Sequence, residues 1–229
     1  MTSSTFETWW PVTYDFGLIR APVETVLDMR HRAYLDDGQG DCRREDVTGS
    51  LEACLRRLEP LSFVHRKEMY LATDFGWTAF FQNGTRGSDP FLPMMQSSRA
   101  LGVTAMRICI TPARATWPAV IWEVYDTEEA GGNANGYRRS IAAANDGGRW
   151  IFHMSGAPFP FEDLDRYTAK RKRDRFPPDL LRDYLREMGI PAIADDCFLV
   201  AGSCTGGMIL RPNVEGAKLM SLDEASAAY

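Results

Sequence analysis

Three histidines and five cysteines are the side chains in this sequence best suited to metal or nucleophilic chemistry. His31, Cys42, Cys54 and His65 fall at long, nearly even intervals. Structural zinc sites bring their ligands in close pairs, because a short turn can aim both at one ion. No such pair occurs, so no metal is expected; Cys54 reads as helix core and His31 as helix surface. Cys197 and Cys204 could meet across a hairpin, but two thiols alone make a poor site. Nucleophilic catalysis needs a nucleophile, a base and an orienting group. None of His31, His65 and His153 sits in a G-x-S-x-G or H-E-x-x-H pattern. His153 falls in a strand-like alternation and could face a cleft beside Arg149, although a satisfied sheet histidine is the commoner role.

Charged and aromatic residues offer binding rather than reaction chemistry. The glycine-rich stretch 131–136, followed by Arg138 and Arg139, could present backbone N–H groups to an anion. It matches neither dinucleotide nor P-loop spacing, and a connection with two solvated arginines accounts for it better. The one dense basic cluster is Lys170, Arg171, Lys172, Arg173 and Arg175. It could touch nucleic-acid phosphates, but acidic neighbours and few interleaved aromatics favour a solvated helix end. The adjacent acid pairs Asp36-Asp37, Glu128-Glu129 and Asp195-Asp196 do not share a face, so none forms an acid/base couple. Of the six tryptophans, most alternate with strand residues and read as core. Trp9, Trp10 and Trp117, beside prolines, are expected at the surface, where Trp and Arg are enriched in protein interfaces.

The elements that must carry these residues are legible from periodicity. A strand over 12–20 leads to Pro22, which suits a helix start, and Val23, Val26, Leu27, Arg30 and Tyr34 form a stripe at helical spacing. Residues 36–46 read as a loop. Ser50 can cap a second helix with Leu51, Cys54, Leu55 and Leu58 on one face. Strands are expected over 61–72 and 77–82. A helix follows from Asp89-Pro90 to Gly102, then strands over 103–110 and 119–125. Next come a short helix over 137–144, a turn at 145–148 and a strand over 149–154. Two helices, 162–173 and 178–189, and a hairpin of 197–200 with 208–210 complete the pattern; residues after Pro212 read as loose. Strands arrive in adjacent pairs, so the expected fold is α+β, an antiparallel or mixed sheet with helices packed mainly on one side. No linker divides the chain, which reads as a single domain over 1–229.

Composition narrows the function classes. The chain has 229 residues, 45% hydrophobic and 25% charged, enough to bury a core without a disulfide or metal staple. A net charge of −5 and a pI near 5.3 supply no global basic field for nucleic acid. No run approaches a membrane-spanning length, and the N-terminus lacks a signal-peptide pattern. With an odd, irregular set of cysteines, this places the protein in the cytoplasm with free thiols.

From Trp77 to Ile190 the chain resembles a family of uncharacterised bacterial proteins. The likeness rests on Trp77-Thr78-Ala79-Phe80-Phe81, Asn83, residues 87–89, 143–150, Gly156, Pro160-Phe161-Glu162, Tyr167, Arg171, residues 173–176 and the segment 181–190. It implies no particular activity or cofactor. Within it, Arg173, Asp174 and Arg175 are expected to form a buried or half-buried ionic clasp. The expected function is a non-enzymatic cytoplasmic protein-binding module, of the immunity type that neutralises a toxin by direct binding. The expected contact residues are Trp117, Arg149, Trp150, Arg171, Arg173 and Arg175. The alternatives are an enzyme or small-molecule sensor with a cleft at His153 and Arg149, and nucleic-acid binding through residues 170–175.

Overall fold

A computed structural model describes residues 8–38, 41–112, 115–126, 136–191 and 193–228. The glycine-rich stretch 131–135 and the pair Glu128-Glu129 lie outside them. The strands are β1 (Asp15–Ile19), β2 (Arg43–Gly49), β3 (Leu61–Ser62), β4 (Lys67–Ala72), β5 (Thr78–Gln82), β6 (Ala105–Ile110), β7 (Ala119–Tyr125), β8 (Arg139–Asp146), β9 (Arg149–Ser155), β10 (Cys204–Leu210) and β11 (Leu219–Met220). The helices are α1 (Val23–Asp36), α2 (Leu51–Arg56), α3 (Phe91–Leu101), α4 (Pro178–Glu187) and α5 (Leu222–Ala227). Nine strands form one sheet in the order β2-β10-β4-β5-β1-β6-β7-β8-β9. Every neighbouring pair in it is antiparallel, which gives the α+β architecture anticipated from the strand pairs.

The two longest helices share one face. The α1 stripe buries Val26, Leu27, Arg30 and Tyr34 as its periodicity requires, and with Met94 of α3 it covers Ile19, Tyr70, Phe80 and Ile209. The opposite face carries Phe16, Leu18, Met69, Phe81, Ile108, Trp122 and Ile141. Shorter pieces close it: α2, capped by Ser50 Oγ accepting from Ala53 N at 3.2 Å, and α4 through Leu181, Tyr184 and Leu185. Gly102 ends α3 at φ 66°, the left-handed stop its position foretold.

Several local expectations are overturned. Residues 137–144 are helix formers in part, yet 139–146 is strand β8. Alternate residues Ile141 and Ala143 must face the core while the backbone bonds β7 and β9, and that pairing overrides alanine's helix propensity. The helix expected over 162–173 is two 3-10 turns, Arg166–Thr168 and Lys172–Asp174. Four consecutive cations and no apolar stripe leave nothing to stabilise a longer helix there. Residues 197–200 do not pair with β10; Cys197 and Phe198 lie in a 3-10 turn, and β10 inserts between β2 and β4. The loop read over 36–46 ends early, where β2 begins. Trp9 is buried rather than exposed, with the Arg56 guanidinium 5.5 Å from its ring. The tail after Pro212 carries β11 and α5, with a Ser221/Glu224 capping box and a bond from Ser226 Oγ to the Trp10 carbonyl at 2.7 Å.

A candidate partner-binding edge

Strand β9 closes one side of the sheet. It is joined to β8 by Gly147 and Gly148, both at positive φ (60° and 89°), the requirement of a two-residue type I′ turn. Asn145 Oδ1 accepts from Gly148 N at 2.7 Å and fixes the turn. In such a hairpin the residues flanking the turn, Asp146 and Arg149, form a hydrogen-bonded pair. Pairs then alternate, so Arg149, Ile151, His153 and Ser155 bond back to β8. The N–H and C=O groups of Trp150, Phe152 and Met154 point away from the sheet. Among the described residues no backbone bond from another segment meets them.

Side chains of β9 alternate between two surroundings. Arg149, Ile151 and His153 face the side covered elsewhere by α1 and α3. Those helices make their main sheet contacts no further out than β7; Ile151 is 43% exposed, and Ile121, Ala142 and Ala144 beside it are half-exposed. Trp150 and Phe152 face the other side, half-buried against the core, and Met154 beside them is 49% exposed. The opposite edge, β2, is Arg43-Arg44-Glu45-Asp46-Val47-Thr48-Gly49, whose charges discourage strand addition. Within β9 itself such polar side chains are limited to Arg149, His153 and Ser155.

A roof over β9 is built from residues 156–176. Gly156, at φ 83°, turns the chain off the strand, and a Cβ there would sit 1.9 Å from the Arg138 carbonyl oxygen. Glu162 then anchors the return. It is buried and accepts from Arg139 Nε (2.9 Å) and Nη2 (2.6 Å), Phe159 N (2.8 Å) and Tyr167 Oη (2.8 Å). Arg139 also donates to the Gly156 carbonyl at 2.8 Å, and the hydroxyls of Tyr167 and Tyr184 meet at 2.9 Å. Burial, with these hydrogen bonds, pushes the Tyr167 hydroxyl well above its ordinary range, so it remains a donor. The Phe152 ring is held between Tyr167, centroids 5.7 Å apart, and the Arg175 guanidinium at 5.5 Å.

Of the ionic clasp expected of Arg173, Asp174 and Arg175, the Arg173–Asp174 pair forms at 3.5 Å, with both side chains about half exposed, and Arg175 does not join it. Arg139 and Glu162 form the buried pair. Their separation of 23 residues gave no local signal. Arg175 is spent on the Ala169 carbonyl (2.8 Å) and Phe152. Arg171, Lys172 and Arg173 are exposed along the turn that packs on β9.

Five of the six expected contact residues thus gather at one edge: Arg149, Trp150, Arg171, Arg173 and Arg175. Trp117 stands apart, just before β7, at the end of the sheet where Asn145 N bonds the Pro118 carbonyl at 2.8 Å. It is 48% exposed, and the Arg86 guanidinium lies 5.9 Å from its ring and 5.8 Å from that of Phe63, which is 55% exposed. Phe63 and Arg86 were missed because isolated surface residues carry no periodic signal.

Other chemistry finds less support. Arg149 and His153 are both exposed on one flank of β9 with Ile151 between them, and among the described residues no hydrogen bond or ion pair converges on them. Among the described residues no three metal-binding side chains come together. All five cysteines are free and buried, and burial pushes the Cys197 thiol up to about 12, away from nucleophilic use. An open cleft of about 680 Å³ is rimmed by Arg43, Glu45, Arg57 and Lys67. Two of its cations are committed: Lys67 donates to the carbonyls of Arg57 and Glu59, and Arg57 to Glu45 at 2.5 Å. Among the described residues no helix is long and apolar enough to cross a membrane. Compared with family models, curated proteins and solved structures, the chain matches none.

Proposed function

We propose that this is a non-enzymatic cytoplasmic protein-binding module, of the immunity type that neutralises a toxin by covering it. The observation that carries the reading is β9: a seven-residue edge strand, roofed on one face by residues 156–176, whose outward-facing backbone groups meet no backbone bond from another segment among the described residues. Sheet edges of this kind are normally blunted unless another chain uses them, and added strands gain main-chain hydrogen bonds together with side-chain pockets. The second exposed patch, Phe63, Arg86 and Trp117, has the aromatic and arginine composition of interface anchors. The full-length tagged protein should form a stoichiometric complex with one purified protein, the first candidate being a toxin encoded beside it. Co-expression should then restore growth to cells making that toxin. A chain that forms no complex with such a toxin, and does not protect against it, refutes the immunity reading.

A further inference from the structure

The chemistry of the partner segment can be read from what surrounds the β9 edge, provided the protein-binding reading holds. The basic 3-10 turn Lys172–Asp174 packs on β9, pinned there by the Phe152 ring between Tyr167 and Arg175. Lys170, Arg171, Lys172 and Arg173 are all exposed around it. Asp174 engages Arg173 at 3.5 Å, and among the described residues no carboxylate lies within ion-pair distance of the other three. Arg149 adds a cation on the other flank, opposite Asp146 across the turn with no ion pair between them. The edge is therefore locally basic in a chain whose net charge is −5.

We infer that β9 accepts an extended acidic segment of a partner protein as a further strand. Its backbone would bond the free N–H and C=O groups of Trp150, Phe152 and Met154. Alternate side chains of the added strand fall on the roofed flank, where carboxylates meet Arg171, Lys172 and Arg173; the intervening ones lie over Ile151 and the half-exposed alanines. A second copy of this chain fits poorly. Two-fold pairing of β9 with itself about Phe152 sets the two basic turns side by side, cation against cation, and like charges in register destabilise a pairing.

The test uses the intact protein and acetylated peptides of about ten residues, alternating Glu with Val, alternating Lys with Val, and the Glu peptide with alternate backbone nitrogens methylated. Binding is followed by amide NMR shifts and calorimetry. The acidic peptide should shift the amides of Trp150, Phe152 and Met154, and methylation should abolish the shifts. The triple variant Arg171→Glu, Lys172→Glu, Arg173→Glu, all at exposed positions, should bind it at least about tenfold more weakly and prefer the Lys peptide. Equal affinity for both charges, shifts confined to other strands, no binding, or a β9-paired dimer by sedimentation would each overturn the inference. A partner complex that tolerates the triple variant would overturn it too while leaving the protein-binding reading intact. Peptide binding at β9 without any protein complex would separate the two in the other direction.

Discussion

Replacing Glu162 by Ala removes the acceptor at the centre of the roof and leaves the Arg139 guanidinium buried without its charge partner. The Arg139 side chain is 3% exposed and that of Glu162 is 0% exposed, so water cannot readily compensate. Breaking a buried pair by removing one member costs roughly 3–5 kcal/mol, more than the pair contributes relative to an apolar replacement. Phe159 N and Tyr167 Oη lose an acceptor as well, and each stranded donor adds about 1–3 kcal/mol where relaxation does not rescue it. The expected loss is at least about 4 kcal/mol, the middle of the buried-pair range, with any donor left unrescued adding to it. Glu162→Gln, which keeps the shape and one acceptor, should cost less. Urea unfolding followed by tryptophan fluorescence and circular dichroism gives the value, taken from the midpoint at constant slope. The double variant Arg139→Leu, Glu162→Leu, measured beside its two single variants, completes a cycle. It should be less destabilised than Glu162→Ala, because no buried charge remains. A loss under about 1 kcal/mol for Glu162→Ala, or strict additivity in the cycle, would refute the buried-clasp reasoning.

Asp15 gives a pH test with a definite sign. Burial outweighs the bidentate Arg107 pair (3.0 and 2.6 Å) and raises its carboxyl from 3.8 to about 6. The folded state then holds the proton more tightly, so this contribution is fully present below about pH 4 and is lost as pH rises to about 6. The whole effect is at most about 3 kcal/mol. Chemical denaturation at several pH values should show that decline in the parent and not in Asp15→Asn; parallel profiles would remove the assignment. Gly156→Ala should destabilise by more than about 1–2 kcal/mol, since it combines a left-handed backbone with a near-contact to the Arg138 carbonyl. A thermal scan showing an unchanged midpoint would mean that the β9 exit relaxes freely.

What the sequence determined by itself was local. The stripe Val26, Leu27, Arg30 and Tyr34 repeats at helical spacing because one face must be buried, and Ser50 and Gly102 mark helix ends through hydrogen-bonding and backbone preferences that need no distant partner. The turn at 145–148 was equally visible, because paired glycines can adopt positive φ. An antiparallel or mixed sheet followed from strands arriving in pairs; that every neighbouring pair is antiparallel did not. Tertiary structure alone decided that β10 lies between β2 and β4, that alanine-rich β8 is a strand, and that Arg139 finds Glu162 rather than solvent. It also decided that β9 is an edge. Arg149, Trp150, Arg171, Arg173 and Arg175 were visible as residue types, but periodicity reports which way a side chain points relative to its own element. Whether a strand has one neighbour or two, and which charges stand beside it, depends on segments far along the chain. The folding of residues 156–176 back over β9 turned five scattered residues into one surface.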